Sequence, residues 1–143
     1  MSSTRPLTAT DIKEFDSFAE FVKNVDEEVA ELRRRMGDLL KKLEELRIRV
    51  EQEKRIKEIL GKLGVKAEVA SNAVTLRGLT IVFNPTAEQE QAALEVAVES
   101  LNSKLTALQA LRRELDVVAG TEIVSKIRVV YVDGIPKTVL FKL

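Results

Sequence analysis

From Phe15 to Val50, apolar residues recur at alternating steps of three and four. Phe15, Phe18, Val22, Val25, Val29, Leu32, Met36, Leu39, Leu43, Leu46 and Val50 form an unbroken a/d seam over about five heptads. A strict seven-residue repeat keeps one narrow stripe facing a partner, which implies a left-handed coiled coil. After Val50 the phase slips. Glu53 takes a seam position, and Ile56, Leu60 and Leu63 resume one residue early. Gly61 and Gly64 then end the helix, because glycine readily takes the left-handed cap conformation. The helix is expected over residues 11–63, after a disordered lead at 1–10, with Thr10 or Asp11 as its cap.

From residue 65 to 83 the period changes to two. Val65, Ala67 and Val69 alternate with Lys66, Glu68 and Ala70. Ser71-Asn72 reads as a turn, and Arg77-Gly78 separates two further strand patterns, so this segment reads as a three-stranded meander. Asn84-Pro85-Thr86 stops it. Thr86 with Gln89 makes a capping box for a second helix over 86–119. Leu94, Val98, Leu101, Leu105, Leu108 and Leu115 keep heptad spacing there, with Arg112 interrupting. Asn102-Ser103 form helix weakly and leave a bend open. Residues 122–143 read as a hairpin around Asp133-Gly134. The expected class is α+β: a long antiparallel helical hairpin of coiled-coil type with a small antiparallel β portion, in the order α-βββ-α-ββ. Residues 11–143 are taken as one domain.

Charge supports the antiparallel choice. Glu88, Glu90, Glu95 and Glu99 lead the second helix with no Lys or Arg before Lys104, whereas Lys41, Lys42, Arg47, Arg49, Lys54, Arg55 and Lys57 crowd the far half of the first. Folding back sets these opposite charges side by side. Such flank pairs choose orientation more than they stabilise, at ~1 kcal/mol or less each.

Composition narrows the function. The chain has 143 residues, 23 Lys plus Arg against 23 Asp plus Glu, and no Cys, His or Trp. Zero net charge and a single Tyr argue against a nucleic-acid binder. Without His or Cys the usual general base, thiolate nucleophile and soft metal ligands are missing. No enzyme activity, catalytic residue, metal or cofactor is therefore expected. Residues 1–10 show no signal-peptide core and no membrane-length apolar run occurs, which places the protein in the cytoplasm. The enrichment in Glu, Lys and Arg points to a heat-loving source.

Three features remain. Gly61-Lys62-Leu63-Gly64 matches a Gly-x-x-Gly loop but reads as a plain helix end. Arg33 and Arg35 flank the seam at e and g, a solvated face that sets coiled-coil pairing. Phe15, Phe18, Phe21, Val22 and Val25 begin the first helix. That helix is roughly 75 Å long and the second roughly 48 Å, so a fold-back leaves this stripe without a helical partner. The C-terminal hairpin emerges nearby and is expected to cover part of it, and a second chain in a twofold dimer the rest. Phe15, Phe18, Phe21, Val22, Val25, Arg33 and Arg35 are thus the candidate interaction residues.

The helix–strands–helix order is similar to that of prefoldin, which implies a holdase chaperone; here the chain continues past the second helix. In size and composition the chain also resembles the arcadins, small coiled-coil accessory proteins of archaeal actin-like filaments. The function expected is a structural or adaptor protein that self-associates by coiled coil and binds a protein partner, in a cytoskeletal or other assembly. A prefoldin-like holdase is the first alternative and a nucleic-acid-associated protein the second.

Overall fold

The computed structural model describes residues 10–64, 72–118 and 125–142. Its elements are β1 (Asp11–Phe15), α1 (Phe18–Lys62), β2 (Ala73–Leu76), β3 (Leu79–Val82), α2 (Ala87–Val118), β4 (Ile127–Val132) and β5 (Ile135–Phe141). The fold is α+β. The expected order is present, with one strand added in front. The first strand of the expected meander, at 65–70, lies outside the described residues.

The start of the first helix is a correction. Residues 11–15 are a strand, and α1 begins at Phe18. Ser17 is the cap: the Glu20 backbone N–H donates to Ser17 Oγ at 3.2 Å. Ser17-x-x-Glu20 has the residue types of a capping box, so the signal was in the chain. Thr10 has another task, its hydroxyl accepting the Asp133 N–H at 3.2 Å. At the other end Gly64, at φ +81°, closes α1, its N–H donating to Gly61 O at 3.1 Å. Gly61-x-x-Gly64 is the helix terminus it was read to be. Helix α2 runs unbroken through Asn102-Ser103.

Contacts divide the chain into two compact units, Met1–Arg35 with Leu101–Leu143, and Met36–Ser100. Both long helices contribute to each. In the first, here the sheet unit, β1, β4 and β5 form an antiparallel sheet with β4 in the centre. Phe15 lies opposite Ile127 and Asp11 opposite Tyr131. The β4–β5 turn is Asp133-Gly134, with φ +52° and +80°, the two left-handed residues that a type I′ hairpin requires. A register shift between Val130 and Tyr131 sets Pro136 opposite Tyr131, in an edge strand where its missing N–H is tolerated.

The inward face of β4 is Ile127, Val129 and Tyr131, at 0%, 0% and 4% exposure. It closes over Phe18, Phe21, Val22, Val25, Val29 and Leu32 of α1 and Leu108 and Leu115 of α2. The strand is covered on this one face only. On its other face Arg128 and Val132 are exposed and Val130 is half-buried. Its strand partners are β1 and β5.

The second unit, here the hairpin unit, holds the rest of both helices and the antiparallel β2–β3 hairpin. Arg49 of α1 pairs with Glu90 of α2 at 3.0 Å, and Glu53 of α1 accepts the Ala87 N–H at 3.4 Å. As α1 advances α2 recedes, so the helices are antiparallel in this unit. Arg49–Glu90 is one of the pairs the charge pattern calls for. Glu53 explains the seam break: its carboxylate meets the Ala87 N–H, one of those left without a helical partner where α2 begins.

Candidate interaction surfaces

The seven sequence-derived candidates separate into three groups. Phe18, Phe21, Val22 and Val25 are at 6%, 0%, 9% and 2% exposure, and Phe15 is packed against the same core. Their rings meet one another tilted or edge-on, and Phe18 stacks on Phe141 of the sheet. Phe21 lies 5.5 Å from Phe15 and 5.9 Å from Phe18, and Phe18 lies 5.8 Å from Phe141. The expectation that this stripe awaits a second chain is therefore corrected. The sheet covers the whole stripe within the chain, where the C-terminal hairpin was expected to cover only part of it.

Arg35 belongs to a local cluster. Its Nε donates to Glu31 at 3.0 Å, and Arg34 Nη2 reaches the same carboxylate at 2.6 Å. Hydrogen bonds from Arg34 and then Arg35 pull Glu31 from its ordinary 4.5 to about 2. Arg33 turns elsewhere. It lines a groove of about 440 Å³ in the sheet unit with Val29, Ala30, Gln109, Arg112 and Arg113. At that groove Arg112 is held at 2.6 Å by both Asp26 and Asp116. These two hydrogen-bonded carboxylates raise its pKa, so it stays charged and pinned.

The surface missed in the sequence is the β2–β3 hairpin. Val74 faces Ile81 and Leu76 faces Leu79 across the strands. The side-chain period of two puts both pairs on one face, and Phe83 continues the Leu79, Ile81 series just past β3. Val74, Leu76, Leu79, Ile81 and Phe83 are 48%, 51%, 59%, 38% and 61% exposed. Neither strand carries a charged residue. An isolated two-stranded hairpin is marginal in water, yet this one has a firm base.

That base is polar. Asn72 Nδ2 is within 2.8 Å of Phe83 O, 3.2 Å of Asn84 O and 2.9 Å of Gln89 Oε1. Gln89 Nε2 returns a hydrogen bond to Asn72 Oδ1 at 2.7 Å. Gln89 Oε1 also accepts the Thr86 N–H at 3.0 Å, while Thr86 Oγ1 accepts the Gln89 N–H at 3.2 Å. The expected capping box thus exists and does a second job, clasping the hairpin to the start of α2. The clasp fixes where the hairpin stands and leaves its apolar face open. The signal for it was Asn72, read only as a turn residue.

No family model, curated protein or solved structure matches this chain.

Two further features of the hairpin unit bear on binding. Ile48, Ile56, Ile59 and Leu63 are 57%, 56%, 57% and 72% exposed. At 100° per residue they share one side of α1, away from the buried Leu43 and Val50. A groove of about 480 Å³ lies beside Arg49 and Glu90, with Leu46, Ala93 and Leu94 as its apolar part and Lys42 and Glu45 at its rim. Among the described residues no helix is long and apolar enough to cross a membrane. Nor do they gather three or more acidic groups where a metal ion would sit. What these surfaces offer is apolar area bordered by fixed charge, which suits holding another chain.

Proposed function

We propose that this chain is a non-enzymatic structural or adaptor protein of the cytoplasm, built on an antiparallel coiled-coil hairpin. It self-associates and holds a protein partner within a cytoskeletal or other assembly. The observation that carries this reading is the open apolar surface of residues 36–100, formed by the hairpin face and the α1 stripe. Exposed apolar area grouped in this way marks interaction sites. The α1 stripe has the i, i+3, i+7 rhythm that receives an apolar helix, which gives coiled-coil association a place other than the start of α1.

The test is affinity capture from native lysate followed by mass measurement of the complex. One stoichiometric protein partner supports the adaptor reading. The same exposed side chains favour a holdase as the second reading. That reading replaces the first if the protein suppresses aggregation of a denatured test protein at substoichiometric amounts and captures many clients.

A further inference from the structure

We infer that the β2–β3 hairpin face is the site of self-association, and that two copies stack face to face with their hairpins antiparallel. The inference rests on the adaptor reading above and specifies its self-association surface.

The occupant follows from charge. A twofold interface sets a patch against its own image, residue i meeting residue j and j meeting i, so a patch without charge meets its copy without repulsion. The face formed by Val74, Leu76, Leu79, Ile81 and Phe83 has none, and the strands beneath it are AVTL and LTIV. It therefore meets its own copy without repulsion, and sheets packing this way sit about 10 Å apart. The outer face of the three-stranded sheet differs. Glu14 and Arg128 stand opposite one another there, among the exposed Ile12, Val132 and Leu140.

The ends of the hairpin choose between the two possible stackings. Arg77 stands exposed at the turn, and Glu88 stands exposed in the first turn of α2, at the hairpin's base. A twofold axis along the strands sets Arg77 beside Arg77 of the partner subunit, which is repulsive. An in-plane axis across the strands sets Arg77 beside Glu88 of the partner subunit, twice per dimer. Four-residue strands span ~14 Å, short enough for the turn of one copy to reach the base of the other.

The experiment is analytical ultracentrifugation of the full chain with charge variants. Arg77→Glu and Glu88→Lys should each weaken dimerisation. One exposed pair contributes at most ~1 kcal/mol, about fivefold, so two symmetric pairs give roughly 25-fold. The double variant should restore the native dissociation constant, since it exchanges the charges without removing the pairs. Among the described residues neither position has an ion-pair partner, so unchanged circular dichroism melting shows that the fold is intact. Leu79→Lys with Ile81→Lys should abolish the dimer, with the melting of the sheet unit unchanged. A dimer that survives the lysine pair overturns the inference while leaving the adaptor reading in place. A dimer weakened by both single changes and not rescued by the double change overturns the antiparallel stacking. A wild-type monomer at all concentrations overturns self-association, and the lysate capture then decides whether partner binding stands.

Discussion

The two units treat similar residues in opposite ways. In the sheet unit, aromatic and β-branched side chains from α1, α2 and β4 meet in one closed core. In the hairpin unit, Leu43, Val50 and Ala87 are the only buried apolar residues among those described, while the hairpin shows its apolar face to water. Both units contain strands, and what differs is how the strands are held. In the sheet unit the sheet is laid onto the helices by packing. In the hairpin unit the strands are tied at their base by amide hydrogen bonds, and none of their residues is buried. Packing closes a surface, whereas a polar clasp fixes a position and leaves the surface available. The same chain thus separates stability from display.

The sharpest way to break this contrast is to remove matched groups from the two units. Phe21→Ala empties a fully buried site that has two aromatic neighbours. It should cost about 3–5 kcal/mol in urea denaturation. Leu79→Ser in the hairpin face should change the stability of the dilute monomer by no more than about 0.5 kcal/mol. Equal losses would mean that the hairpin face is covered and the contrast is false.

A smaller effect tests the clasp. Asn72→Ala removes the donors that serve Phe83 O, Asn84 O and Gln89 Oε1, a loss of roughly 0.5–1.5 kcal/mol, since two of the three bonds are exposed. Hydrogen exchange should show this loss as faster exchange of the β2 and β3 amides, with the β4 and β5 amides unchanged. If all strands loosen together, the units are not independent in stability.

Much of this architecture is legible in the chain. The seam residues Phe18 to Val50 are buried or half-buried throughout. Thr86 with Gln89 caps α2, and Asp133-Gly134 turns the last hairpin. What was hidden is β1. Phe15 and Phe18 are three apart, a spacing that suits a helix, so the strand reads as helix. Of the inward positions of β1 only Phe15 is apolar. Asp11 and Lys13 are the others, Lys13 half-buried with Nζ 4.7 Å over the Tyr131 ring. A lysine that uses its stem against an aromatic face breaks the alternation on which a strand reading depends. The partner strand is also more than 110 positions away, and no local pattern encodes such a pairing. The hairpin surface was hidden for another reason. Its strands were visible, but their openness depends on what lies against them, which only the fold supplies.

Two further measurements sharpen the account of the sheet unit. Ser17→Ala should cost ~1 kcal/mol, as a lost helix cap does, while Thr10→Ala should leave α1 intact and loosen the β4–β5 turn. An opposite result would return the helix start to residue 11.

The smallest effect concerns Glu31. Its carboxyl is held at about 2 by Arg34 and Arg35, below the ordinary value. A group depressed in the folded state adds stability above its unfolded value, and this is lost as pH falls toward the folded one. Acid titration followed by carbon NMR should therefore find Glu31 ionised at pH 3.5, and a slight loss of stability between about pH 4.5 and 2. In Arg34→Gln with Arg35→Gln the carboxyl should return toward its ordinary range. The charge is on an exposed helix face, so the effect on melting is minor and salt reduces it further.

The amide clasp also has a chemical lifetime. Asparagine is heat-labile, and deamidation exchanges its NH₂ for an oxygen that carries negative charge. At residue 72 the two donated hydrogens would vanish, and a carboxylate would face the carbonyls of Phe83 and Asn84. Gln89 can rotate its amide to offer hydrogens, but backbone oxygens cannot. One slow hydrolysis would thus loosen the hairpin without touching the sheet core. The bearing of the display surface then becomes a record of how long, and how hot, the molecule has been kept.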